Sequence, residues 1–109
     1  MHKEENKVLI IKKFKVMGLI TKSDLDYDYS WTTYDNDDPE ISGEPDSTLL
    51  NREEGYEMLY FINKLAEKWD LKKTQDGNKI EKMIKEYVPK NIHSQEKIMN
   101  WIKKEWNNY

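Results

Sequence analysis

From residue 51 to the end of the chain, apolar side chains recur three times at the spacing of an α-helix. Met58, Phe61, Ile62, Leu65 and Trp69 make the first stripe, with Glu57, Lys64, Glu67 and Lys68 off it. Ile80, Met83, Ile84 and Tyr87 make the second, and Ile98, Trp101, Ile102 and Trp106 the third. Residues three and four apart share a helix face, so each stripe predicts a helix with one side to bury. Asn51 with Glu54 three positions later has the form of a capping box, placing the first helix start there. The second helix is expected over 78–88 and is stopped by Pro89, which cannot continue it. Ser94 is the expected cap of the third, which runs to about Trp106. The three helices are expected to pack through Trp69, Trp101 and Trp106.

The residues before 51 read differently. Leu25, Tyr27, Tyr29 and Trp31 alternate with Asp26, Asp28, Ser30 and Thr32. A period of two is the pattern of a half-buried strand, aromatic face inward and acidic face outward. Residues 7–17 followed by Gly18-Leu19 fit a helix closed by glycine, with Ile10, Phe14 and Met17 on one face. Val8, Ile10, Phe14 and Val16 also fit a strand, and helix is the reading taken. Residues 35–47 hold Pro39, Gly43 and Pro45 and almost nothing apolar, which predicts a loop, long enough to suggest function or disorder. The expected fold is therefore α+β and mostly helical: an N-terminal helix or strand, a short aromatic strand region, an acidic loop and three C-terminal helices. With 109 residues this is one domain, divided by composition into a basic segment 1–22, an acidic segment 23–50 and a helical region 51–109.

Charge is distributed as unevenly as hydropathy. Between Lys22 and Arg52 there are 29 residues with no base and nine acids: Asp24, Asp26, Asp28, Asp35, Asp37, Asp38, Glu40, Glu44 and Asp46. Residues 1–22 carry six Lys against Glu4 and Glu5, and the net charge of −3 conceals this polarity. A run of carboxylates attracts cationic partners and speeds their encounter. Tyr and Trp are favoured anchors at protein interfaces. The segment thus suggests a surface for a basic protein, with Tyr34 as anchor and Asp35, Asp37, Asp38, Glu40, Glu44 and Asp46 supplying charge. The competing reading is that the aromatics are core and the acids only the wet face above it.

Other chemistries find little support. With no Cys there is no thiolate catalysis, disulfide or Cys-zinc site. The spacing Asp24-x-Asp26-x-Asp28 opens like a calcium loop, but Tyr29 stands where the turn needs Gly and Asp35 where a bidentate Glu belongs. The two histidines, His2 and His93, accompany no nucleophile motif, and the four glycines are isolated, so no phosphate loop can form. No metal, cofactor or catalytic residue is expected, and the chain reads as a non-enzyme. The third helix could instead serve a helix-turn-helix, offering Gln95, Lys97, Asn100 and Lys104 to DNA. Against this, residues 89–93 are long for the turn, and the one Arg, Arg52, is elsewhere. Nucleic acid is accordingly the weaker expectation, and a structural or homodimeric role a third.

The longest apolar run near the start, 8–11, is too short for a leader or a membrane span, so no membrane partner and a cytoplasmic location are expected. Seventeen Lys to one Arg, with many Ile and Asn, are residues of A/T-rich codons. They suggest a low-GC bacterium or its phage, and an accessory or inhibitor protein is the function the sequence favours.

Overall fold

The computed structural model describes residues 18–31, 45 and 48–109. Three helices form its body: α1 (Gly55–Lys68), α2 (Thr74–Lys82, continued by a wider turn at Met83–Tyr87) and α3 (Gln95–Glu105, ending in a 3-10 turn at Trp106–Asn108). The buried stripes meet in one core of Met58, Phe61, Ile62, Leu65, Ile80, Met83, Ile84, Ile98 and Ile102, joined by Ile20, Leu50 and Val88. Helix α2 with its continuation packs against both α1 and α3. In α1 all six residues 61–66 are buried, including Asn63 and Lys64, because neighbours cover that helix on more than one side.

Each helix begins and ends for a local reason. The Glu54 carboxylate accepts the Glu57 amide at 3.0 Å, so α1 starts after Glu54 rather than after Asn51. Asn51 uses its side-chain oxygen on the Glu53 amide at 3.0 Å, closing the turn before the helix. At the other end Asp70 takes a left-handed φ of 55°. The Leu71 amide then reaches the Ala66 carbonyl at 2.8 Å and the Asp70 amide that of Glu67 at 3.2 Å, a Schellman closure. Helix α2 starts at Thr74, four residues earlier than the sequence suggested. It ends with the Val88 amide on the Met83 carbonyl at 2.8 Å, a five-residue spacing that makes a π turn. The extra residue in that turn rotates Tyr87 off the stripe, and it is exposed rather than inward. Val88 is already extended, as a residue before proline should be. The Ser94 hydroxyl accepts the Lys97 amide at 3.2 Å and caps α3 as expected.

The expected α+β fold is not found. Among the described residues there is no strand, only two isolated bridges, Ser30 with Glu54 and Leu49 with Ser94. The alternation over 25–31 is real as burial: Leu25, Tyr27, Tyr29 and Trp31 are partly buried, whereas Asp26, Asp28 and Ser30 are exposed. It does not make a strand because the segment lies across helices, which have no free backbone groups to form a ladder. The amides of Asp26 and Tyr27 go instead to a side chain, the Glu81 carboxylate. The expected helix at 7–17 and the acidic loop at 35–47, apart from the buried Pro45, lie outside the described residues.

Tryptophan packing is also partly redistributed. Trp69 meets Trp106 edge to face at 6.3 Å, but Trp101 pairs with Tyr109 at 6.1 Å. The Lys79 ammonium sits 4.1 Å over the Trp106 ring and donates to the Trp106 carbonyl at 2.8 Å, closing the end of α3.

Candidate functional site

Residues 18–31 form an arm laid over α1 and α2, and polar groups on the helices hold its backbone. Asn63 on α1 is the first. Its side-chain oxygen accepts the Ile20 amide at 2.9 Å and its nitrogen donates to the Ile20 carbonyl at 3.0 Å. Gly18 approaches that amide so closely that a Cβ would lie 2.0 Å from the Asn63 side chain, and its φ of 121° also requires glycine. Asn78 on α2 donates to the Asp24 carbonyl at 2.7 Å.

Glu81 is the third and strongest holder. Its residue is completely buried. One carboxylate oxygen accepts the Asp26 amide at 3.0 Å; the other accepts the Tyr27 amide at 3.2 Å and the Tyr29 hydroxyl at 2.6 Å. A buried carboxylate is tolerated only when donors replace the lost water, and three residues of the arm supply them. Burial, and then the hydrogen bond to Glu81, push the Tyr29 phenol well above the usual tyrosine range. Tyr27 donates its hydroxyl to Glu86, and chiefly through that bond its phenol is pushed up to about 12.

Arg52 does similar work at the far end of α2. Its guanidinium donates to the carbonyls of Ile84 at 3.2 Å, Val88 at 3.0 Å and Pro89 at 2.9 Å, and to that of Ile92. Ile84 lies in the π turn and the other three in the connection that follows it, where a planar fork satisfies several carbonyls together. Burial lowers the Arg52 pKa from its ordinary value. Lys85 then donates to the Arg52 carbonyl at 3.0 Å and to the Glu53 carboxylate at 3.3 Å.

Two pairs of backbone hydrogen bonds join Ser30 and residues 48–50 to the helical body. The Ser30 amide donates to the Glu53 carbonyl at 2.8 Å, and the Ser30 carbonyl accepts the Gly55 amide at 2.7 Å. Correspondingly, the Leu50 amide donates to the His93 carbonyl at 2.9 Å, and the Thr48 carbonyl accepts the Gln95 amide at 2.8 Å. Gly55 and Gln95 are the first residues of α1 and α3, whose opening amides have no partner within the helix. The Ser30 and Thr48 carbonyls, both within the acidic segment, therefore serve as caps of two helices.

Trp31, beside the first joint, forms a row of rings with Tyr29 and Tyr56. Tyr29 and Trp31 meet edge to face at 6.1 Å, Trp31 and Tyr56 at 5.0 Å and 86°. The Lys22 ammonium lies 4.2 Å from the centre of the Trp31 ring and 5.8 Å from that of Tyr56. The Lys85 ammonium is 4.8 Å from that of Tyr29. Tyr56, Leu59 and Tyr60, which point off the main stripe of α1, are each partly covered: Tyr56 by Trp31, Leu59 by the core, and Tyr60 by the Lys64 ammonium at 4.7 Å.

Of the residues read from the sequence as a partner site, Tyr34, Asp35, Asp37, Asp38, Glu40, Glu44 and Asp46 lie outside the described residues. Asp26 and Asp28, from the same base-free segment, are exposed on the arm, whereas Asp24 closes its own 3-10 turn by accepting the Thr21 amide at 2.8 Å. On α3, Lys97, Asn100 and Lys104 are exposed and Gln95 is partly buried. The sequence reading passed over Glu81, Arg52 and Asn63. Among the described residues no group of three or more His, Asp or Glu could hold a metal ion, and no helix is long and apolar enough to cross a membrane. Comparison with protein families, with curated proteins and with solved structures finds no match to this chain.

Proposed function

We propose that this chain is a small binding protein without catalytic activity, of the accessory or inhibitor kind, whose acidic face engages a basic protein. One observation carries the reading. A stretch of 29 residues with nine acids and no base is bonded to the helical body at Ser30 and again at Thr48. Asp24, Asp26 and Asp28, on an arm held by Asn63, Asn78 and Glu81, cost less to order on binding than carboxylates on a free tail. Asp26 and Asp28 extend the same charge onto the arm, where they face water. The charged groups buried in the body have internal tasks: Glu81 binds the arm and Glu54 caps α1. A basic partner such as a nucleic-acid-binding protein or nuclease, whose phosphate site the carboxylates would imitate, suits this surface.

The experiment is a capture from a nuclease-treated lysate of a low-GC bacterium, comparing the wild type with an Asp35/Asp37/Asp38→Asn variant. A basic protein held only by the wild type, and released as salt shortens the screening length below about 8 Å, supports the reading. Equal retention by both proteins, or binding indifferent to salt, rejects it.

A further inference from the structure

Lys22 is the last base before the acidic segment, and the chain folds it back onto the aromatic row at Trp31 and Tyr56. The two rings stand at 86° with centres 5.0 Å apart, which makes a corner with one ring as floor and the other as wall. An ammonium is attracted to such faces, most strongly to Trp. The corner is also held in place before anything binds. Trp31 follows Ser30, whose amide and carbonyl are both bonded to the start of α1. Its ring lies against Gly55, where a Cβ would come within 2.5 Å of the indole. Tyr56 is the next residue of the same helix. A receptor made on rigid elements loses little freedom when it is filled.

Resting on the acidic-surface reading, we propose that the Trp31–Tyr56 corner receives a lysine side chain of the basic partner, and that Lys22 is the internal occupant it displaces. Lys22 is exposed, so its ammonium returns to water without a burial penalty. Asp24, Asp26 and Asp28 follow within six residues, so an incoming ammonium meets favourable charge as well as a ring face. The corner thereby favours a lysine ammonium over an inorganic counter-ion, because a diffuse field alone does not distinguish one cation from another.

The probe is an octalysine peptide, titrated by calorimetry and by the indole N–H resonances of the labelled protein at low salt. The proposal expects the Trp31 indole resonance to move with peptide. It expects Lys22→Ala to bind about two- to threefold tighter and Trp31→Leu about five- to tenfold weaker, the range of a partly desolvated cation–π contact. Lys22→Ala changes an exposed side chain and Tyr56→Leu repeats the test on the other wall, so a poorly folded Trp31 variant does not decide the matter. Salt-sensitive binding with an unmoved Trp31 resonance and unchanged affinity in Lys22→Ala overturns the corner while leaving the acidic surface standing. Absence of any binding by the wild type overturns both.

Discussion

The Tyr29 hydroxyl donates to the Glu81 carboxylate at 2.6 Å across 52 residues of sequence. That contact, with the two backbone amides beside it, joins the arm to α2 by way of a charge that has no access to water. The two amides and the hydroxyl all donate to carboxylate oxygens, so the site calls for acceptors.

Glu81→Gln replaces one of those oxygens by an amide that must face N–H donors. The variant is expected to lose about 2–4 kcal/mol of stability, as when a buried charged acceptor loses its partners. Tyr29→Phe keeps both backbone bonds and is expected to lose only about 1 kcal/mol. Urea unfolding of the two variants measures the difference. Equal effects would mean that the backbone amides contribute nothing.

The same contact sets an alkaline limit. The phenols of Tyr29 and Tyr27 titrate higher folded than unfolded. A raised folded pKa stabilises fully below the unfolded value, about 10 for tyrosine, and that stability is lost as pH rises above it. The tyrosine contribution to the melting temperature should therefore be constant with pH up to that point and then fall. The fall should be shallower in Tyr29→Phe, and an identical slope would count against the assignment.

Arg52 is the only arginine beside seventeen lysines, and its fork spans four carbonyls. Arg52→Lys keeps the charge but cannot reach them together. It is expected to cost about 1–3 kcal/mol, with amide exchange accelerated over residues 84–92 more than over α1. Uniform acceleration along the chain would show that Arg52 does not act locally.

Gly77 lies inside α2, where alanine would ordinarily gain about 1 kcal/mol. Here a Cβ would stand 2.7 Å from the Cγ2 methyl of Ile20, which is itself buried. Gly77→Ala is expected to destabilise by about 1–2 kcal/mol despite the better propensity. A gain in melting temperature would show that the arm yields at Ile20.

The helices were legible in the sequence because their stripes and stop signals are local. Ser94 lies at the start of α3 and Pro89 beyond the end of α2, as their chemistry dictates. The start of α2 was missed because Gly77 and Asn78 resemble breakers; Gly77 is there to admit Ile20 and Asn78 to hold Asp24. The arm was misread as a strand because its in–out pattern is shared by any extended segment with one side covered. Choosing between a strand and an arm required knowing where its amides go. One signal pointed at Glu81: it shares a helix face with Gly77 and Ile84, both buried. A lone acid on an otherwise apolar face requires distant donors.

Those distances have a kinetic meaning. Asn63 waits for a residue 43 positions away and Glu81 for residues 52 to 55 away. Neither can be satisfied by the turns that form around it first, so both remain hydrated while α1 and α2 associate. The arm is thus expected to close after α1 and α2 have paired, and to exclude water from Asn63 and Glu81 in the same step. Mutations at this seam should speed unfolding while leaving the rate of folding nearly unchanged.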